Sequence, residues 1–584
     1  MKKTIISAAL LLLASALWAQ NDDVYNESVV VKGSYTPVIE QAEKLYFPAS
    51  ISDTQGRIDH TFQYSITPTR LRATYQPTRI RAARIIGEPA TKLYNNYLRL
   101  GMGNYWSPLA DLYWSSTRDR LKTYGVRINH RSSWDKLAKL PEYGPVQMGN
   151  TGVTLFGKYI FGDVLQLSSD LSYEHDHNLY YGFTDSTLQA VLGRSRDNIS
   201  LADYRASYNV ATWNVGIKNM QLDANKLGYS VDARVSDLWT VWGANELGLT
   251  LGGDIHYGFP LLSNYKGVAY LHAEWEHYRN ASPGDGVDGF LGIAYSRPEY
   301  IDHTNILRIN PYVDFLFRGL NIHAGLLYGW DGYSAAGTDR HNYFYPDVTV
   351  SKKLMHDNLV LSLAATGGFE ANTLNRLRMI NPYIDPDFEP DVVTSHYDFI
   401  GHARWTISRK LEANAEVSYS LRSGDLTFAL DPRYNLDNVY TDVYNDLNRL
   451  TVGADLTFVN DEMITLRAGG HYYHYTFTDL GAVEPVWSHY YRPDWDALLS
   501  VDLNYHYKWF FHLDGMLLGK MDSDNGELPM RYGIAAQVEY RHNRALSFFL
   551  QADNLAFQRY WYWANYPSQR GLFILGLTYT IPNK

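Results

Sequence analysis

The sequence predicts an all-β protein: one large antiparallel transmembrane β-barrel of about 22–24 strands behind a short extended N-terminal segment. Three observations carry this reading. The first is period-2 alternation, clearest over Asp496–Asn554. There Ala497, Leu499, Val501, Leu503 and Tyr505 alternate with Ser500, Asp502 and Asn504. Tyr532, Ile534, Ala536, Val538 and Tyr540 alternate with Arg531, Gln537 and Glu539, and Phe548, Leu550 and Ala552 with Ser547, Gln551 and Asp553. Such a pattern gives each strand one apolar and one polar face. The second is the length of the connections. Short ones at Gly162–Asp163, Arg318–Gly319, Ser408–Arg409, Asn460–Asp461 and Asn543 alternate with long ones such as Asp176–Ile199, Glu370–Asp398 and Arg422–Leu447. Tight turns on one side and long loops on the other are what a membrane barrel requires. The third is the placing of aromatic residues. Of 48 Tyr and 15 Trp, many sit at strand ends, as Tyr505, Tyr507, Tyr532 and Tyr540 do, where a bilayer interface favours an amphipathic ring.

Taken in order, residues 1–19 read as a secretory signal: Lys2 and Lys3, an apolar run from Ile5 to Leu13, then small residues ending at Ala16 or Ala19. The absence of Cys excludes disulfides and a lipid-anchored N-terminus. Residues 20–94 carry Pro37, Pro48, Pro68, Pro77 and Pro89 without a long alternating run, which fits an extended periplasmic segment. Within it Pro68–Ala73 recurs as Pro77–Ala82, setting Arg70, Arg72, Arg79 and Arg81 along one edge. This is either a solvated basic linker or a strip that docks on an acidic surface elsewhere in the protein.

Residues 95–584 are strand after strand, with candidates from Tyr97–Asn104 to Leu572–Ile581. They include two short pieces at Leu201–Val210 and Trp213–Lys218 and one at Phe290–Tyr295. No stretch offers the roughly 18 apolar residues of a membrane helix. A mean hydropathy of −0.32 leaves only a membrane class whose strands are apolar on alternate residues. No blade-sized repeat supports a propeller, and a formal charge of −10 argues against nucleic acid as a partner.

With the apolar face toward lipid, Glu412, Glu416, Asp455, Asp502, Asp514, Glu539 and Asp553 line the interior, an acidic seat for the four arginines. Chemistry is otherwise sparse. Asp522–Glu527 and Asp385–Asp391 are oxygen-rich but lack the ligand spacing of a calcium loop. His471 and His474 fall on opposite strand faces. No nucleophile elbow or phosphate loop is present, so neither an enzyme, a cofactor nor a metal is expected.

The closing strand, with Gly576, Tyr579 and Ile581, resembles the C-terminal signal read by the outer-membrane barrel assembly machinery. Asn554–Leu555, Tyr560–Trp563, Tyr566–Pro567 and Arg570–Gly571 resemble the C-terminal end of TonB-dependent receptors, and Ser28–Gly33 is similar to that family's energy-coupling box. As a whole the chain resembles the receptor-like outer-membrane barrels of Bacteroidetes-type bacteria. The resemblance implies a 22-stranded barrel in the outer membrane of a Gram-negative cell, uptake of a bulky solute, and a TonB-type energy-coupling partner. In that family a globular plug precedes the barrel. Residues 20–92 are too short and too Pro-rich to be one. A second reading therefore stands beside uptake: a structural barrel within a complex of envelope proteins and lipoproteins, its lumen blocked by its own N-terminal segment.

Overall fold

The computed structural model describes residues 96–581, except 117–118, 138–139, 163, 221–225, 263–264, 282–300, 334–339, 386–392, 462 and 479–488. Twenty-two antiparallel strands form one sheet. Each pairs with its neighbours in the chain, from β1 (Asn96–Gly103) and β2 (Ser107–Ser115) to the closing strand (Leu572–Ile581). The closing strand pairs in turn with β1, from Asn96↔Ile581 to Gly103↔Ile574. The sheet is therefore a closed barrel without edges.

Connections alternate between two ends. At the end where the closing strand finishes, turns are tight; at Arg318–Gly319 both residues have positive φ (50° and 77°), the backbone that lets a two-residue turn follow the strand twist. At the other end lie the long loops, although Asn104–Trp106 and Val241–Ala244 are short. Alternation along the strands produces the two faces. Outward residues are large and apolar: Leu363 is 72% exposed, Leu575 67%, Phe548 44% and Ile534 39%. Tyr505, Tyr507 and Trp509 are exposed at the short-turn end, as an interfacial girdle requires. Among the described residues no helix is long and apolar enough to cross a membrane; the strands are the spanning elements.

The strands differ from the sequence reading in where they begin and end. Leu201–Val210 and Trp213–Lys218 belong to one strand, β6 (Arg205–Asn219), preceded by a 3-10 turn at Leu201–Tyr204. Phe290–Tyr295 lies outside the described residues. The strands are also longer than the alternation shows: β15 (Leu411–Leu430) has 20 residues and β16 (Tyr440–Asn460) has 21. About 9–11 residues suffice to cross a bilayer, so their loop-side ends extend past that length. On β15 the register shift between Arg422 and Asp425 interrupts the alternation, and Leu426, Phe428 and Leu430 beyond it join the core of the loops.

The seam between first and last strands is tightly packed. Gly101 pairs with Gly576, and the buried Phe549 ring covers both from inside. A Cβ on Gly576 would meet the Leu100 carbonyl oxygen and the Phe549 ring at 2.3 Å each. The Arg99 guanidinium stacks 4.0 Å from the Phe549 centroid and donates to Gln537 Oε1 (3.1 Å). Substituting Gly576→Val should cost about 1–3 kcal/mol through overpacking. It should lower the temperature at which the barrel loses its compact, heat-modifiable migration on gels; Gly401→Val, whose new Cβ would meet nothing nearer than 3.6 Å, should not.

Candidate functional site: a capped lumen

The inward face is polar, and the structure places the carboxylates expected there unevenly. Glu412 and Glu416 on β15, Asp455 on β16, Asp502 on β18 (Trp495–Tyr505), Asp514 on β19 (Trp509–Leu518) and Glu539 on Arg531–Arg541 all lie on inward positions in the half nearer the short turns. Some are engaged. His512 bridges Asp502 (2.7 Å) and Asp514 (2.6 Å), and Asn414 donates to Asp455 (2.6 Å). Glu412, Glu416 and Glu539 have no ion-pair partner among the described residues. Asp553 stands apart at the loop end of its strand, paired with Arg131 at 2.5 Å. Arg70, Arg72, Arg79 and Arg81 lie outside the described residues. Gly576 belongs to the seam, while Tyr579 and Ile581 point outward from the closing strand.

The loop end carries a feature that the sequence reading did not find. Loops from distant parts of the chain fold into one buried core over the mouth. It contains Tyr180, Tyr181, Phe183 and Leu188 from 180–204, Leu374, Leu377, Tyr383 and Ile384 from 372–385, and Tyr434, Leu436 and Val439 from 431–439. Tyr440 and Tyr566 also belong to it, as do strand-end residues such as Leu179, Tyr208, Leu238 and Phe428. Tyr383 stacks on Tyr566 at 3.5 Å between centroids, and Tyr181 meets Tyr566 edge-on at 5.1 Å. Four hydroxyls then donate to backbone carbonyls distant in the chain: Tyr180 to Ile384 (2.6 Å), Tyr181 to Pro567 (2.9 Å), Tyr440 to Ala564 (2.7 Å) and Tyr566 to Asn438. A buried tyrosine supplies apolar area and a satisfied donor together. Burial raises the pKa of Tyr181, Tyr383 and Tyr566, so these hydroxyls stay neutral donors.

Charged contacts tie this cap to the wall. Thr373 caps the short helix α1 (Leu374–Ile380), accepting from Arg376 N at 3.2 Å. The buried Glu246, at the rim of β8 (Asn245–Leu262), accepts from Leu374 N (2.5 Å) and Asn375 N (3.3 Å). From α1 the buried Arg378 reaches Asp176 and Glu174 on β5 (Leu165–Leu179), eight strands away from β13 (Leu359–Ala371) by the shorter way round. Arg433 joins two buried carboxylates, Asp431 and Asp385. Burial opposes its charge, but hydrogen bonding to Asp431 and the charge of Asp385 outweigh that and raise its pKa. The oxygen-rich turn at Asp522–Glu527 is part of the same assembly: Asp524 accepts from Leu430 N (2.9 Å) and Tyr491 Oη (3.0 Å). Of Asp385–Asp391, Asp385 serves Arg433 and Tyr434, and 386–391 lie outside the described residues.

Solved structures share this architecture. The ferric-catecholate import receptor Fiu from K12 E. coli superposes with a TM-score of 0.60 at 12% identity, over 83% of this chain and 81% of that one. The likeness is one of fold, a large closed antiparallel barrel. The siderophore receptor PiuA from Acinetobacter baumannii (TM-score 0.58, 11% identity, 83% and 81% covered) shares it. So does the ferripyoverdine receptor of the outer membrane of Pseudomonas aeruginosa (0.60, 11%, 84% and 72%). No protein-family model matches the chain, and no curated protein matches it by sequence.

The cap residues had one legible trace: pairs such as Tyr180–Tyr181 and Tyr490–Tyr491, with Tyr383 and Tyr566, lie inside loops rather than at strand ends. Replacing Tyr566→Ala should remove about 3–5 kcal/mol from cap docking. In intact cells it should expose the 180–204 and 431–439 loops to added protease while the barrel stays folded. Burial raises the pKa of Asp524. Docked, it retains a proton over a range in which the undocked carboxyl has lost it, so docking weakens as pH rises through that range. Protease sensitivity of this turn should therefore increase from about pH 4 toward pH 7 in the native chain, and D524N should flatten the dependence.

Proposed function

We propose that this protein is an outer-membrane barrel for gated passage of a bulky solute. The observation that carries the reading is the combination of a polar lumen with a mouth covered by loops that pack on the strand ends. Such a cover can open: its loop contacts are side-chain contacts, and parting them leaves the backbone pairing of the barrel intact. Several solved neighbours are described as import or siderophore receptors, which supports uptake as the class of activity. Ser28–Gly33 then serves a TonB-type energy-coupling protein, and the closing strand serves the barrel assembly machinery.

At the inner end the Arg70, Arg72, Arg79 and Arg81 strip docks on the acidic belt of Glu412, Glu416, Asp455, Asp502, Asp514 and Glu539. The unpaired Glu412, Glu416 and Glu539 support this, although exposed pairs each contribute little. In this proposal the N-terminal segment takes the place of a plug. A structural role within a complex of other envelope proteins and lipoproteins is the second reading, favoured by the extent of the cap core.

Single-channel recording in planar bilayers tests the proposal. The native chain should conduct weakly. R378A/Y566A should raise the open probability, and deleting residues 63–88 in that background should raise conductance further. If the combined variant conducts no more than the native chain, the barrel is a closed scaffold and passage is refuted.

A further inference from the structure

The lumen wall between the acidic belt and the cap carries arginines that neither the cap nor the belt uses. Arg422 on β15 and Arg449 on β16 point inward as diagonal neighbours: Arg449 lies opposite Ser420, and Arg422 opposite Leu447. Tyr475 on β17 (Ile464–Phe477) stands directly across from Arg449. Arg492 comes from the adjoining loop and lies over the Tyr475 ring, 5.8 Å from its centroid.

A local irregularity assembles the group. Between Arg422 and Asp425 the register of β15 shifts by one residue at Ser423–Gly424, where Gly424 has φ 63°. In a regular strand residues 422 and 425 would face opposite sides; the bulge turns Asp425 to the side of Arg422. Asp425 accepts from Arg422 Nη1 (2.8 Å) and from Arg492.

Three guanidinium groups thus surround one carboxylate, which pairs with two of them. Other acids on this part of the wall are engaged: Asp398 by Ser420 and by His396 (3.3 Å), Asp446 by Ser423 and Gly424 N (2.8 Å each), and Asp496 by Tyr473 (2.8 Å) and His471 (3.1 Å). Arg449 has no ion-pair partner among the described residues. The Nε–H groups of Arg422 and Arg449 are both buried without an acceptor, a state that native proteins rarely leave uncompensated.

We propose that Arg422 and Arg449, flanked by Arg492, Tyr473 and Tyr475, form an anion-binding site on the lumen wall just inside the cap. Its ligand carries a carboxylate or phosphate group. Guanidinium forks match the planar oxygens of both, and the tyrosine rings beside them suit the apolar or ring portion of an organic anion. Binding here does not depend on whether the solute goes on to pass through the barrel.

The test is calorimetric titration of the full-length protein, folded in detergent, with citrate and with inorganic phosphate at constant ionic strength. The two probes separate carboxylate from phosphate preference. Saturable binding of at least one is expected. R449Q and R422Q should each weaken it about tenfold or more, with R449K recovering part of the loss. R467Q, lower on the same wall near Asp514, should leave it unchanged. Heat-modifiable gel migration checks that each variant is folded. The proposal is overturned if neither probe saturates, if both R449Q and R422Q bind as the native chain does, or if R467Q weakens binding equally. The last result would assign the effect to the general potential of the lumen. None of these outcomes bears on the conductance measurement, so this site and solute passage stand or fall separately.

Discussion

Closure of the sheet is the constraint on which everything else rests. Within lipid no water satisfies an open edge, so every backbone donor and acceptor must find a partner in the chain. Pairing Asn96–Gly103 with Ile574–Ile581 provides the last set of partners and fixes much of the rest. Strand count must be even for the first and last strands to run antiparallel, and both ends of the barrel segment then lie on the short-turn side. The seam's demand for close approach explains why Gly101 faces Gly576, with Phe549 and the closing strand's Ile574 filling the space above them.

A 22-stranded circumference creates the second problem. Side chains fill a barrel of about eight strands, whereas one of this size leaves a lumen to be occupied or plugged. At the outer end the chain answers with its own loops. Those loops cannot be merely apolar, because they must also satisfy a large number of buried carbonyls from irregular backbone. Tyrosine meets both needs, and Tyr180, Tyr181, Tyr440 and Tyr566 each bury a ring and donate to a backbone carbonyl distant in the chain. The high tyrosine content therefore has two sources, the interfacial girdle and the cap.

This division explains what was legible in the sequence. The wall could be read because lipid imposes period 2 on every spanning strand, down to the outward Ile534 and Phe548. The reading broke at Ala211–Thr212, where β6 continues through a small residue and a polar one, and at Ser423–Gly424, where the register shift interrupts β15 before Leu426, Phe428 and Leu430 resume the alternation. The cap could not be read. Its contacts join residues as distant as Tyr181 and Tyr566, and no local periodicity encodes such pairs. Asp553 was grouped with the acidic belt by face alone; alternation gives the side of a residue but not its height, and its height brings it to Arg131. The arginine group was hidden for a related reason, since one extra residue at Ser423–Gly424 reverses the parity by which Asp425 would be assigned a side.

Height along the strands gives the lumen a polarity of its own. On β15, Glu412 and Glu416 precede Arg422; on β16, Arg449 precedes Asp455. Neighbouring antiparallel strands thus place acid at the same inner level and base at the same outer level. Glu416 and Arg422 are six residues apart, about 20 Å along the strand, more than a Debye length at physiological ionic strength. The two zones consequently act on different visitors. On the proposed reading, a basic segment entering from the short-turn end would be attracted to the acidic belt and repelled by the arginines above it. An anion admitted past the cap would meet the arginines first and face repulsion beyond them. With charge in this order, an internal basic occupant and an external anion would not compete for the same level of the wall.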